Sequence, residues 1–197
     1  MALTVCGLSA FGQGYFTFGG GPGSVWDGSP GGSTRGPAVY NVAFLWGTGT
    51  PLVDTATIYN AGAAWAAILT DPIFQFAFNA NSDALVVAAT TANGSFSYNG
   101  ATTFPVTGTA AGGGSTTMYL IAWLAADGST PAAAAAAGSP MGWSNPFTYA
   151  YTSSIGTPPT LAMSGFLPFG AAPIPEPSTL ALAGLGSLSL LLFRRRK

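Results

Sequence analysis

Apolar and polar positions alternate with a period of two through much of this chain, which predicts strands. Over 40–46, Tyr40, Val42, Phe44 and Trp46 fall on one face. Phe74, Phe76 and Phe78 share a face over 73–78, as do Phe147, Tyr149 and Tyr151 over 147–151. Over 117–124, Met118, Leu120, Ala122 and Leu124 alternate with Tyr119, Ile121 and Trp123, so both faces of that strand need cover. Weaker patterns at 15–18, 85–89, 95–98, 102–107 and 161–167 add further short strands.

Turn-formers separate these segments. Asn99-Gly100 predicts a hairpin between 95–98 and 101–107, because both central residues of a type I′ turn need positive φ. The glycine runs 19–23, 31–32 and 112–114 read as loops. One short helix is expected, with Thr130 as N-cap, Pro131 first, then 132–137, and Gly138 as the stop. The segment 61–70 fits a helix or a strand and is read as a helix. The predicted fold is mainly β: an antiparallel β-sandwich of jelly-roll or immunoglobulin-like type, with one or two short helices and a C-terminal transmembrane helix.

Charge narrows the function. Only 6% of the 197 residues are charged, against about 25% in a typical soluble domain. Arg194, Arg195, Arg196 and Lys197 are the last four residues, which leaves Arg35 as the single cation before them. The stretch 13–172 holds five Asp and one Arg, a net charge of −4, and no Lys, Glu, His or Cys. No basic field exists to hold nucleic acid. The general base of a Ser-His-Asp or Cys-His site is missing, as are the usual zinc ligands and the Lys of a P-loop. Two Asp could in principle hydrolyse a glycoside. Asp27-Gly28, Asp71-Pro72 and Asp127-Gly128 read instead as turns. No enzyme and no cofactor are expected.

Both ends read as addresses. Residues 1–12 resemble the back half of a secretory signal, with Ala10-Phe11-Gly12 as a cleavage triplet before Gln13. No Lys or Arg precedes its short apolar region, which points to a true start further upstream. Cys6 is read as a signal-peptide cysteine without a role, since Val5 is too large to precede a lipidated one. At the other end, Pro175-Glu176-Pro177-Ser178 is followed by the uncharged apolar run 179–193 and then by Arg194–Lys197. Fifteen helical residues span about 22 Å, and the basic cluster can snorkel to make up part of a ~30 Å core. Cations beside the span predict that this end stays cytoplasmic while 13–172 faces outward.

This tripartite tail resembles the PEP-CTERM sorting signal of Gram-negative bacteria. The resemblance covers 173–197 and implies an exosortase as processing partner and the membrane as transient anchor. It further implies export through the inner membrane to the cell surface or extracellular space, and association with exopolysaccharide and biofilm. The body also resembles a loose group of PEP-CTERM surface proteins, mostly from Verrucomicrobia-like bacteria. The matching residues are Gly14-Tyr15-Phe16-Thr17-Phe18, then 37–42, 120–123, 132–137 and Gly142-Trp143-Ser144. That likeness implies fold and location, and no activity.

The leading reading is thus a non-enzymatic surface or matrix protein. The alternative is a carbohydrate-binding module that stacks sugars on the loop tryptophans Trp26 and Trp143. Trp46 and Trp123 sit in strand patterns and belong to the core. Asn79-x-Asn81-x-Asp83 has the opening spacing of a calcium loop, but Ala84 replaces the glycine and no Glu follows, so it reads as a polar turn. The Ser and Thr of 90–117 read as a solvated surface that could also carry O-linked sugars.

Overall fold

The segments with the strongest alternation form the centre of a computed structural model of the chain, which describes residues 13–28, 39–52, 62–153, 156–159, 161 and 165–171. In chain order the strands are β1 (Gly14–Phe16), β2 (Gly19–Gly20), β3 (Val25–Asp27), β4 (Tyr40–Gly47), β5 (Gln75–Phe76), β6 (Phe78–Asn79), β7 (Ala84–Leu85), β8 (Ala88–Ala89), β9 (Phe96–Ser97), β10 (Phe104–Val106), β11 (Gly113–Leu124), β12 (Met141–Trp143), β13 (Phe147–Thr152) and β14 (Phe169–Ala171). Helix α1 (Gly62–Thr70) precedes β5 and α2 (Pro131–Ala136) precedes β12. Among the described residues the protein is mainly β with two short helices, as its pattern predicts. The expected signal (1–12) and the tail (173–197) lie outside the described residues, and so does the expected transmembrane helix (179–193).

The sheet is not the expected pair of packed layers. Ten strands join in one antiparallel sheet of order β5-β4-β11-β13-β1-β10-β6-β7, with β12 added to β11 and β8 to β4. That sheet nearly closes on itself. Residues 75–79 pair first with β4, through β5, and then with β10, through β6. Between them the Ala77 N–H donates to Phe44 O at 3.1 Å. One stretch of chain thereby touches both ends of the sheet, which curls the sheet around a single interior. Ala77 faces that interior and is fully buried.

Strand β11 is the spine. One edge pairs with β4 over eight positions, from Thr117↔Gly47 to Leu124↔Tyr40. The other edge pairs with β13 over Gly113–Met118 and with β12 over Ile121–Trp123. Pro146, which cannot donate, lies in the break between β12 and β13. Ser144 fills the gap: its N–H donates to Leu120 O, and its Oγ accepts from Leu120 N, both at 2.9 Å. Beyond β12, Ser139 Oγ accepts from Leu124 N at 3.0 Å.

Both faces of β4 and β11 are covered, as alternation at 117–124 predicts. Inward, Tyr40, Val42, Phe44, Trp46, Met118, Leu120 and Ala122 meet Phe16, Phe18, Phe104 and Tyr149. Phe16 stacks on Tyr149 and Tyr151 at 5.2 and 5.1 Å between ring centroids. Outward, Ala43, Leu45, Tyr119, Ile121 and Trp123 pack under Ile68 of α1, Ala134 of α2, and Met141 and Trp143 of β12. Each fully buried side chain of this size contributes about 1.5–3 kcal/mol.

Several local expectations need correction. Asn99 and Gly100 do adopt positive φ (47° and 65°), but Ala101 does too, at 62°. The segment is a corner of three such residues: β9 pairs with β2, and β10 pairs with β1 and β6. Phe74 and Phe76 pack with the outer cluster, whereas Phe78 is exposed beyond its cover. No strand occupies the described part of 161–167; the last strand among the described residues is β14. Two glycine runs enter strands, as Gly19–Gly20 of β2 and Gly113-Gly114 of β11. At Gly14 and Gly114 a Cβ would collide with the Tyr151 ring, so the bare backbone there admits an aromatic. The expected helices are present, and Thr130 Oγ1 accepts from Ala133 N at 3.2 Å as the N-cap.

Candidate functional site

The expected sorting segment begins where the packed body ends. Strand β14 pairs in parallel with β3, with Phe169↔Val25, Gly170↔Trp26 and Ala171↔Asp27 in register. Phe169 and Ala171 are buried in the inner cluster. Phe169 N–H donates to Ser24 O at 3.1 Å, and Ala171 O accepts from Gly28 N at 2.8 Å. On its other side β14 lies against β12, so close that a Cβ on Gly142 would run into Gly170 O. Only three residues, 172–174, separate this locked strand from Pro175. Pro175, Glu176, Pro177 and Ser178 and the cluster Arg194–Lys197 lie outside the described residues. No helix among the described residues is long and apolar enough to cross a membrane.

The two tryptophans proposed as sugar platforms are not in loops. Trp26 stands in β3, half-buried, with its indole N–H donating to Gly23 O at 2.8 Å. Trp143 stands in β12 and is 1% exposed within the outer cluster. A stacked sugar needs an open ring face, and Trp143 has none to give. The flanking glycine and serine, which suggest a loop in the sequence, serve instead as a close backbone contact and a ladder substitute. Trp46 and Trp123 are core residues, and the Trp123 indole N–H donates to Gly128 O at 2.8 Å.

A shallow groove of about 430 Å³ runs along β2 and β9. Gly19, Gly20, Gly21, Phe96 and Ala101 line it together with Thr17, Thr91, Ser95 and Ser97. Thr91 Oγ1 lies 2.6 Å from both Asn93 Oδ1 and Ser95 Oγ, and Ser95 Oγ lies 2.7 Å from Asn93 Oδ1. The groove is uncharged. Its hydroxyls can hydrogen-bond a neutral polar ligand, but no base adjoins them to activate one as a nucleophile. Sequence reasoning missed this feature, because β2 reads there as a glycine loop.

Two of the described carboxylates, those of Asp71 and Asp27, do structural work. Asp71 is buried between two backbone donors, with Oδ1 accepting from Ile73 N and Oδ2 from Leu52 N, each at 2.9 Å. Asp27 Oδ1 accepts from the Tyr40 hydroxyl at 3.0 Å. Burial, then the Asp27 charge, raises the Tyr40 phenol well above its ordinary range. Burial, then the Asp71 charge, does the same to Tyr119. Tyr149 is pushed up to about 12 by burial, against the lowering effect of its bond from the Thr17 backbone. In the Asn79–Asp83 motif, Asn79 Oδ1 accepts from Asn81 N at 2.9 Å and Nδ2 donates to the Tyr98 hydroxyl at 3.1 Å. Asn79 thus shapes the turn between β6 and β7. Of the hydroxyls in 90–117, those of Thr90, Thr109 and Thr116 are in buried residues and unavailable to a glycosyltransferase.

Residues 173–197 match the PEP-CTERM protein-sorting motif. The match supports an exported protein sorted by an exosortase and anchored in the membrane in transit. No curated protein and no solved structure matches the chain.

Proposed function

We propose that this chain is a non-enzymatic surface or extracellular-matrix protein that reaches its place through its tail. The run 179–193 holds it in the membrane, and an exosortase handles it at Pro175-Glu176-Pro177-Ser178. Residues 1–12 belong to the export signal, and 13–172 form the part delivered to the surface, in the neighbourhood of exopolysaccharide. The single observation carrying this reading is the sorting motif matched at 173–197. Two features agree with it. The basic cluster Arg194–Lys197 favours a cytoplasmic end and an outward body. A body without cysteine also suits an oxidising compartment.

Cell fractionation of the native host tests the reading. Protein expressed with its tail is expected in the envelope, and its processed form in the surface fraction, whereas a variant ending at residue 172 is expected in neither. Recovery of the full chain from the cytosol would overturn the proposal.

A further inference from the structure

The tail leaves the body at one fixed point, and that point is at one end of the central strands. Ala171, the last described residue, is fully buried and pinned by Gly28 N at 2.8 Å. Asp27, opposite Ala171 in the β3–β14 register, is joined to the Tyr40 hydroxyl at 3.0 Å. Tyr40 begins β4 and pairs with Leu124, the last residue of β11. Val39, next to Tyr40, is 54% exposed, and its carbonyl accepts from Ala125 N at 2.9 Å. The exit therefore lies beside the Tyr40–Leu124 end. The opposite end of β11, at Gly113, is eleven residues away, about 37 Å along an extended strand.

We infer that β3 and β14 form a bracket that turns the Tyr40–Leu124 end of the body toward the membrane surface. This rests on the reading of 179–193 as a membrane anchor. Seven residues, 172–178, join Ala171 to that run, and the eight steps from Ala171 to Thr179 reach at most about 29 Å however they are arranged. A tether shorter than the body, leaving from a buried strand, holds one end near the bilayer and leaves the other free to stand away. Charge acts in the same sense. With five Asp and one Arg in 13–172, no basic face is available to lay the body flat on anionic lipid. The surface so assigned presents the exposed, apolar Val39 to the headgroups.

The test uses the full chain with Cys6→Ser, in vesicles of phosphatidylethanolamine and phosphatidylglycerol that carry a nitroxide-headgroup lipid. A fluorophore is placed at Val39→Cys in one sample and at Gly112→Cys in another; Gly112 is exposed, and its Cβ position is open. Quenching several-fold stronger at 39 than at 112 is expected. Replacing Gly142 by Ala, which drives a methyl into Gly170 O and loosens β14, is expected to narrow that contrast. Equal or reversed quenching in a chain that floats with the vesicles would overturn the bracket alone. A folded Gly142→Ala chain with the full contrast would also overturn it. A chain that does not float with the vesicles would overturn the anchor reading, and the orientation with it.

Discussion

The body and the tail of this chain carry different kinds of information. Between residues 13 and 171, nearly everything informative is apolar packing and backbone hydrogen bonding: two clusters back to back on β4 and β11, and serines completing the ladder of β11. In the last 25 residues, five of the chain's eleven charged side chains accompany one linear motif and one apolar run. The body is defined by contacts between residues far apart in sequence. The tail is defined by the order of residues that a membrane and a peptidase can read directly. Stability and location should therefore fail separately when each region is altered.

The largest expected effect belongs to the tail. Replacing Pro175, Glu176 and Pro177 together by Ala should remove all but a trace of the protein from the surface fraction. The thermal midpoint of the body should not move, because these residues lie beyond its last strand. A shifted midpoint would show that motif and body are not separable. In the body, Trp143→Ala should cost about 3–5 kcal/mol by chemical denaturation, since the side chain is 1% exposed within the outer cluster. That is a large part of the ~5–15 kcal/mol that a domain has. A near-neutral Trp143→Ala would restore Trp143 as a surface residue.

High pH should weaken the body next. The Tyr149 pKa is raised to about 12 in the fold, from 10.0, so its contribution is intact below pH 10 and is lost as pH rises toward 12. The slope over that window is about 1.4 kcal/mol per pH unit for one such group, and the raised phenols of Tyr40 and Tyr119 act in the same direction. Denaturant midpoints measured from pH 8 to 12 should be flat and then fall; a level curve to pH 12 would contradict the burial of these phenols. The smallest effect is at α2. Thr130→Ala removes the acceptor of Ala133 N–H and should cost about 1 kcal/mol, without changing surface delivery.

The parts of the fold legible in the sequence are those set by local alternation. Residues 40–46 and 117–124 are long enough for period two to declare both strand and face, and Thr130-Pro131 with Gly138 declares α2. Closure of the sheet was not legible, because it depends on residues 75–79 switching partner at Ala77, and a change of partner leaves no mark on periodicity. Trp143 misled for a related reason. In sequence, Gly142-Trp143-Ser144 looks like a turn. In the fold, Gly142 admits the carbonyl of Gly170, and Ser144 replaces a missing backbone partner of Leu120. The sorting motif was fully legible, because its meaning lies in residue order and not in packing. The groove on β2 and β9 was not, since two glycines form its strand.

The most direct measurement is the intact mass of the protein recovered from its native cell surface. A chain that has been sorted should end near Pro175-Glu176-Pro177, having lost the apolar run and Arg194–Lys197, with its body intact through β14. A surface-recovered mass that still includes Arg194–Lys197, or the uncut chain found only inside the cell, would contradict sorting by the tail.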